Sequence, residues 1–232
     1  MKKKTIGKAP VILIIAVVTV VVLIGATTAW IVLQDEHRFS RLFNISNFSA
    51  TADIYFDNNG SRTEIAGAYK NSDGTINIEL VDSTQPNYIG KLRFDVKYKG
   101  KGTALVRIKS MHQFMRNGNV VPMNAQVPYT ISSAYTSQDS GNALKWYDNR
   151  ANDYCLYLAA PVYGADNSTV YTMNVISGIN SGYSVPGGTT LTAAFELQAV
   201  QVNRFKQFWG IDTLPWNGAD INGDSDLQLV GD

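Results

Sequence analysis

The chain has 232 residues, with 20 basic and 19 acidic side chains, and only 17% of it is charged. That balance holds no basic excess for a nucleic acid or another polyanion, and the single cysteine, Cys155, excludes an intrachain disulfide scaffold. Cohesion outside a reducing compartment then falls to the core, with a metal or partner subunits as possible supplements.

The first predicted element follows the basic start MKKKTIGK. From Ala9 to Gln34 run 26 residues without a charge, enough for a bilayer-spanning helix, which needs about 20. Lys2, Lys3, Lys4 and Lys8 precede an apolar centre, Val11 to Ile24, and Gly25-Ala26-Thr27-Thr28-Ala29 come next. This is the layout of a secretory leader, with Thr27 and Ala29 filling the two small-residue pockets of a signal peptidase. The apolar run continues through Trp30, Ile31, Val32 and Leu33, and Trp favours membrane interfaces, so a retained anchor reaching Gln34 stays open. Either fate places Asp35 and the residues beyond it outside the cell. Without residues 1–29 the chain keeps 16 basic and 19 acidic residues, a formal net charge of −3.

Beyond the leader the pattern is that of short strands between turn signals. Ala52 to Phe56 and Arg62 to Tyr69 flank Asp57-Asn58-Asn59-Gly60, which predicts a hairpin with a four-residue turn. Asn71-Ser72-Asp73-Gly74 turns the chain into Thr75 to Val81. In Lys91 to Lys99 apolar and charged residues alternate, so one face is core and the other water. Gly100-Lys101-Gly102 reads as a hairpin turn onto Thr103 to Lys109. Later strand candidates are Tyr129 to Ser133, Asp153 to Leu158, Thr169 to Ile176 and Thr189 to Val202, with Pro122, Pro128, Pro161 and Pro186 between strands. About nine or ten strands suit two packed sheets better than one open sheet. Asn203 to Gly210 predicts a short helix, capped by Asn203 and ended by Gly210, whose aromatics either plug one open end of the sandwich or form a sticky patch. The expected fold is all-β: a two-sheet β-sandwich of jelly-roll type with a short C-terminal helix, preceded by an N-terminal apolar leader helix. The expected divisions are residues 1–29 as leader, 30–216 as the sandwich and 217–232 as a polar tail.

Signatures of catalysis are scarce. The sequence holds no HExxH, GxSxG, Walker loop, GxGxxG or paired CxxC. His37 and His112 are too few and too distant for a histidine-based triad or a multi-His zinc site. Glu64 and Asp95 are carboxylates that a solvated strand face explains, and Cys155 reads as a small buried hydrophobe. No enzymatic activity and no cofactor is expected. One loop resembles half a calcium site: Asp220, Asn222, Asp224 and Asp226 place oxygens at alternate positions, but Ser225 and Gly231 stand where a calcium loop wants Gly and Glu. A solvated acidic tail is the plainer reading. Asn44, Asn47, Asn59 and Asn167 begin Asn-x-Ser/Thr sequons, which matter only in a host that glycosylates them.

Three stretches together carry a resemblance. "GATTAWIVLQDEHRFSRLFNISNFSATADIYF", "DYCLYLAAPVYGADNSTVYTMNVISG" and "FELQAVQVNRF" resemble, in order, the leader end and first strand, the aromatic strand with its Pro/Gly connection, and the late strand of the TasA and camelysin type of secreted bacterial matrix proteins. The chain departs from that family in the missing aromatic run at Cys155, the apolar Trp30 to Leu33, and the C-terminal tail. The resemblance implies a jelly-roll domain exported through a dedicated signal peptidase and assembling into extracellular fibres. It implies no peptidase here, because no metal motif accompanies it.

The expected function is that of an exported structural subunit of matrix or surface fibres, self-associating by N-terminal strand addition. Leu42, Phe43, Ile45, Phe48 and Ile54 are the candidate contacts; alternatively, those residues form the chain's own first strand. The rival expectation is a membrane-anchored module that grips carbohydrate or a host surface through Trp146, Tyr147, Tyr154, Tyr157 and Tyr163.

Overall fold

The computed structural model describes residues 48–65, 67–123, 126–134, 144–180 and 182–216. The leader with Thr27 and Ala29, the segment holding Leu42, Phe43 and Ile45, and the tail with Asp220, Asn222, Asp224 and Asp226 lie outside these residues. Among the described residues no helix is long and apolar enough to cross a membrane.

The described chain is all-β, a ten-stranded hydrogen-bonded sheet. Its strands are β1 Phe48–Asn58, β2 Ser61–Glu64, β3 Ile76–Glu79, β4 Leu92–Arg116, β5 Asn119–Val121, β6 Tyr129–Ile131, β7 Trp146–Asp148, β8 Cys155–Leu158, β9 Val162–Ile179 and β10 Thr189–Gln201. Two short helices, α1 Arg150–Asp153 and α2 Phe205–Trp209, interrupt the pattern. The prolines fall between strands as expected.

The expected hairpin at Gly100-Lys101-Gly102 does not form. Residues on both sides belong to one strand, β4, which bends there with Gly100 at φ 135° and Gly102 at φ 125°, a region that β-carbons disfavour. The reason lies in the partner: β9 pairs with β4 on both sides of the bend, from Arg93 to Lys99 and from Gly100 to Ala104, with a bulge of β9 between the two runs, and so splints the two parts together. Gly164 of β9 allows the close approach, since a Cβ there would strike the Gly100 carbonyl oxygen. The Tyr98 hydroxyl donates to the Gly102 carbonyl at 2.9 Å and ties the corner.

The bend folds the sheet onto itself. On the N-terminal half of β4 lie β1 and β9, and on its C-terminal half lie β10, β8 and β5. A straight strand would hold Phe94 and Ser110 about 50 Å apart. Phe195, the partner of Ser110 in β10, nevertheless meets Phe94 edge-on with ring centroids 5.3 Å apart. Tyr129 of β6 also approaches Phe195, and the Trp146 indole of β7 donates to the Asn174 carbonyl of β9 at 2.9 Å. One core therefore fills the space between the halves, with Phe56, Phe94, Val96, Ile108, Leu156 and Leu191 fully buried.

The remaining turns correct the sequence-based expectations in detail. Asn58 pairs with Ser61, so the β1–β2 connection has two turn residues, Asn59 and Gly60, both left-handed, and β2 ends at Glu64. Asn203 does not cap α2: it lies in a 3-10 turn, Val202–Arg204, ahead of the helix, while Gly210 closes it in the left-handed conformation as expected. The aromatics of α2 do not plug an open end. Phe205, Trp209, Leu214 and Trp216 cover the outer face of the C-terminal half-sheet, against Leu105, Cys155, Tyr157 and Val200, and form a second core.

Candidate functional site

Backbone hydrogen bonds left open at the side of a sheet are the part of this fold able to recognise another chain. β2 covers β1 only from Tyr55 to Asn58, and β6 with the following Ser132 covers β9 only from Val175 to Ile179. Among the described residues, no strand pairs with the outer side of Phe48–Ile54 or of Val162–Met173. The N-terminal half-sheet is thus a ribbon, β1-β4-β9, with both margins open toward one end.

The two margins differ in chemistry. In β9, residues 167–169 bulge out of the ladder and residues 170–172 are exposed on both faces of the strand, with Val170 51% and Tyr171 37% accessible. The segment Asn167-Ser168-Thr169-Val170-Tyr171-Thr172 carries no charge, proline or glycine. Soluble proteins usually guard such a margin with lysine, proline or a covering loop, and uncharged runs rich in β-branched and aromatic residues are prone to strand pairing. The β1 margin is guarded. Asp53 lies within it and is held by Arg62 of β2 and by Lys97 of β4 at 2.6 Å, while Arg62 also bonds Glu64 and lies 4.0 Å over the Tyr55 ring.

That ion cluster sits on the polar face of the ribbon. Asp53 and Asp95 stand directly opposite each other in the ladder, an arrangement that costs energy unless the charges are compensated. The Arg62 hydrogen bonds hold the Asp53 carboxyl below its ordinary value, and those of Lys97 add to them. Asp95 is not solvated as the alternation suggested: it is buried, accepting from Asn174 Nδ2 at 2.7 Å and from the Tyr55 hydroxyl at 3.4 Å. Glu64 is exposed, and Arg62 likewise lowers its carboxyl. A carboxylate kept ionised by two cations, as Asp53 is, is a poor proton donor near neutrality. The arrangement braces the hairpin.

Other residues singled out by sequence separate cleanly. Phe48 is buried against Tyr98, centroids 5.5 Å apart, and Ile54 is half-buried against the core. Both serve the chain's own first strand, and the donor candidates narrow to Leu42, Phe43 and Ile45. Of the five aromatics proposed for carbohydrate, Trp146 and Tyr157 are core residues and Tyr147 is half-buried, leaving Tyr154 at 60% and Tyr163 at 39% exposure. Cys155 is buried in β8, and burial pushes its thiol up to about 11, so it is inert at neutral pH. His112 lies edge-on to Phe114, 5.4 Å between centroids. Among the described residues no group of three or more His, Cys, Asp or Glu is placed to hold a metal ion.

The open β9 margin was missed at the sequence level, although its signal was there. Thr169 to Asn174 is an uncharged β-prone run, but which side of a strand lacks a neighbour is not encoded locally. No protein-family model, no curated protein and no solved structure matches this chain.

Proposed function

We propose that this protein is an exported structural subunit of extracellular matrix or surface fibres, of the TasA and camelysin type, and that its folded sheet is a jelly-roll sandwich. Subunits join by strand addition: the segment from Trp30 to Asn47 of one copy lies along the open β9 margin of the next, with Leu42, Phe43 and Ile45 as its apolar anchors. The observation that supports this reading is the uncharged, doubly exposed margin of β9. Main-chain hydrogen bonds supply affinity in such a junction, and alternate side chains fix its register. The junction is head-to-tail, so it propagates into an open chain rather than closing on a dimer.

The test is assembly of the protein lacking residues 1–29, followed by sedimentation and electron microscopy. Filaments or large oligomers are expected, and both Val170→Lys and removal of residues 30–47 should leave monomers. A wild-type protein that stays monomeric at high concentration, or a Val170→Lys variant that assembles as well as wild type, rejects this mode of association. The carbohydrate-binding reading retains only Tyr154 and Tyr163 as exposed rings, and nothing in the geometry favours it.

A further inference from the structure

Of the sequons beginning at Asn44, Asn47, Asn59 and Asn167, the last two asparagines fall among the described residues, and their settings differ. Asn59 occupies one of two positions in a tight turn, at φ 56°, and its sequon serine, Ser61, is already back in the ladder opposite Asn58. At Asn167 the entire tripeptide leaves the sheet. Asp166 pairs with Gly100 and Val170 with Lys99, which are neighbours on β4, so Asn167, Ser168 and Thr169 are extruded between consecutive rungs. All three are exposed.

The neighbouring Asp166 holds this bulge in shape. Its carboxylate accepts from the Ser168 and Thr169 amides, both at 2.6 Å, from the Ser168 hydroxyl at 2.6 Å and from the Thr169 hydroxyl at 2.8 Å. The loop is therefore ordered without using Asn167, whose carboxamide has no hydrogen-bond partner among the described residues. From this geometry we infer that Asn167 is the acceptor of an N-linked glycan, an inference that rests on the export reading above. A bulky polar attachment needs an exposed, unengaged asparagine in a surface loop with a hydroxyl two residues on, and this bulge supplies each.

The donor class is an oligosaccharide linked to a polyprenyl phosphate or pyrophosphate. The Asn167 Nδ2 forms the bond to the anomeric carbon as the bond from that carbon to the phosphate oxygen breaks. The amide gives up one proton, and the polyprenyl phosphate or pyrophosphate departs with the bonding pair. Because the Thr169 hydroxyl is engaged by Asp166 in the folded state, transfer takes place during export, before β9 pairs, or requires that bond to be exchanged. A glycan here stands midway along the open margin Val162–Met173 and confines a strand added along Val170–Met173 to that side of the bulge.

The test uses protein from the native producer. Chymotryptic peptides spanning Gly164 to Tyr171 are sequenced by mass spectrometry, and the N-terminal residue is determined on the same sample. A saccharide increment on Asn167 is expected, lost in Asn167→Gln and Thr169→Ala and retained in Thr169→Ser, with circular dichroism unchanged across the three. An unmodified Asn167 in the native protein overturns the inference. If the N-terminus of that sample is processed, the export reading survives; if Met1 is intact on a cytosolic chain, both fall.

Discussion

The two halves of β4 are continuous in sequence yet live in different surroundings. The N-terminal half, from Leu92 to Lys99, has core on one face and the Arg62, Asp53 and Lys97 cluster on the other, with open margins in β1 and β9. The C-terminal half has the shared core on one side and, around Leu105, α2 with Trp216 on the other, while its outer residues from Arg107 to Arg116 stay partly exposed. Its neighbour β8 accordingly reads as an unbroken buried run, Cys155-Leu156-Tyr157-Leu158, whereas β1 mixes buried and exposed positions. The contrast divides the molecule's tasks. The half that carries the second core is the more enclosed, and the half with one wet face has the margins that no described strand pairs with.

Substitutions at the shared core should act on both halves together. Phe94→Ala removes a fully buried ring that links β4 to Phe195 of β10, and a loss of about 4 kcal/mol in a single cooperative urea transition is expected. Two separated transitions would show that the halves unfold independently, contrary to the splint that β9 provides.

Trp209→Ala strikes only the covered half. The indole stacks under the Arg107 guanidinium at 4.7 Å and against Tyr157. About 3 kcal/mol should be lost, with amide exchange rising between Val202 and Trp216 while β1 and the part of β9 paired with Arg93–Lys99, Val170 to Ser177, keep their protection. Equal deprotection of both regions would erase the proposed division.

Gly164→Ala probes the bend itself, because the added methyl meets the Gly100 carbonyl. A cost of about 2 kcal/mol is expected, and a neutral result would mean that β9 does not clamp the corner.

Arg62→Ala tests the wet face. Asp53 is held below its ordinary value of 3.8, so the stability it contributes is fully present above that pH and is lost as the pH falls through the lowered native value. The variant should cost about 1 kcal/mol at neutral pH and shrink the loss of stability between neutrality and strong acid. An unchanged acid limb would remove Asp53 from the account. Val170→Lys is the mildest change to the fold, within about 0.5 kcal/mol, because its side chain is exposed; its large effect is reserved for assembly.

Much of the local structure was legible. Alternation located the N-terminal half of β4 and told which residues face inward, Gly210 marked the end of α2, and Cys155 fell into a buried strand as its type suggests. The reading failed where two outcomes share one local code. Gly100-Lys101-Gly102 permits a reversal or a bend, and the choice depends on what Thr103 to Lys109 pairs with. It pairs with β9, β8 and β10, segments that begin some fifty or more residues downstream, rather than with Lys91 to Lys99. Asp95 misled for a similar reason: its alternation is outward, but Tyr55 and Asn174 arrive from neighbouring strands to cover it.

The amino-acid pattern alone gave away the all-β character of the described residues, the inward and outward faces of their clearest strands, the prolines between strands and the lack of an intrachain disulfide, because side-chain period, turn residues and cysteine number are local quantities. The three-dimensional arrangement settled that one bent strand serves both halves of the folded sheet, that the C-terminal aromatics cover a face, and that no described strand pairs with the outer side of β9 from Val162 to Met173. Those outcomes turn on competition among distant strands for the same backbone hydrogen bonds, which no single window of residues contains.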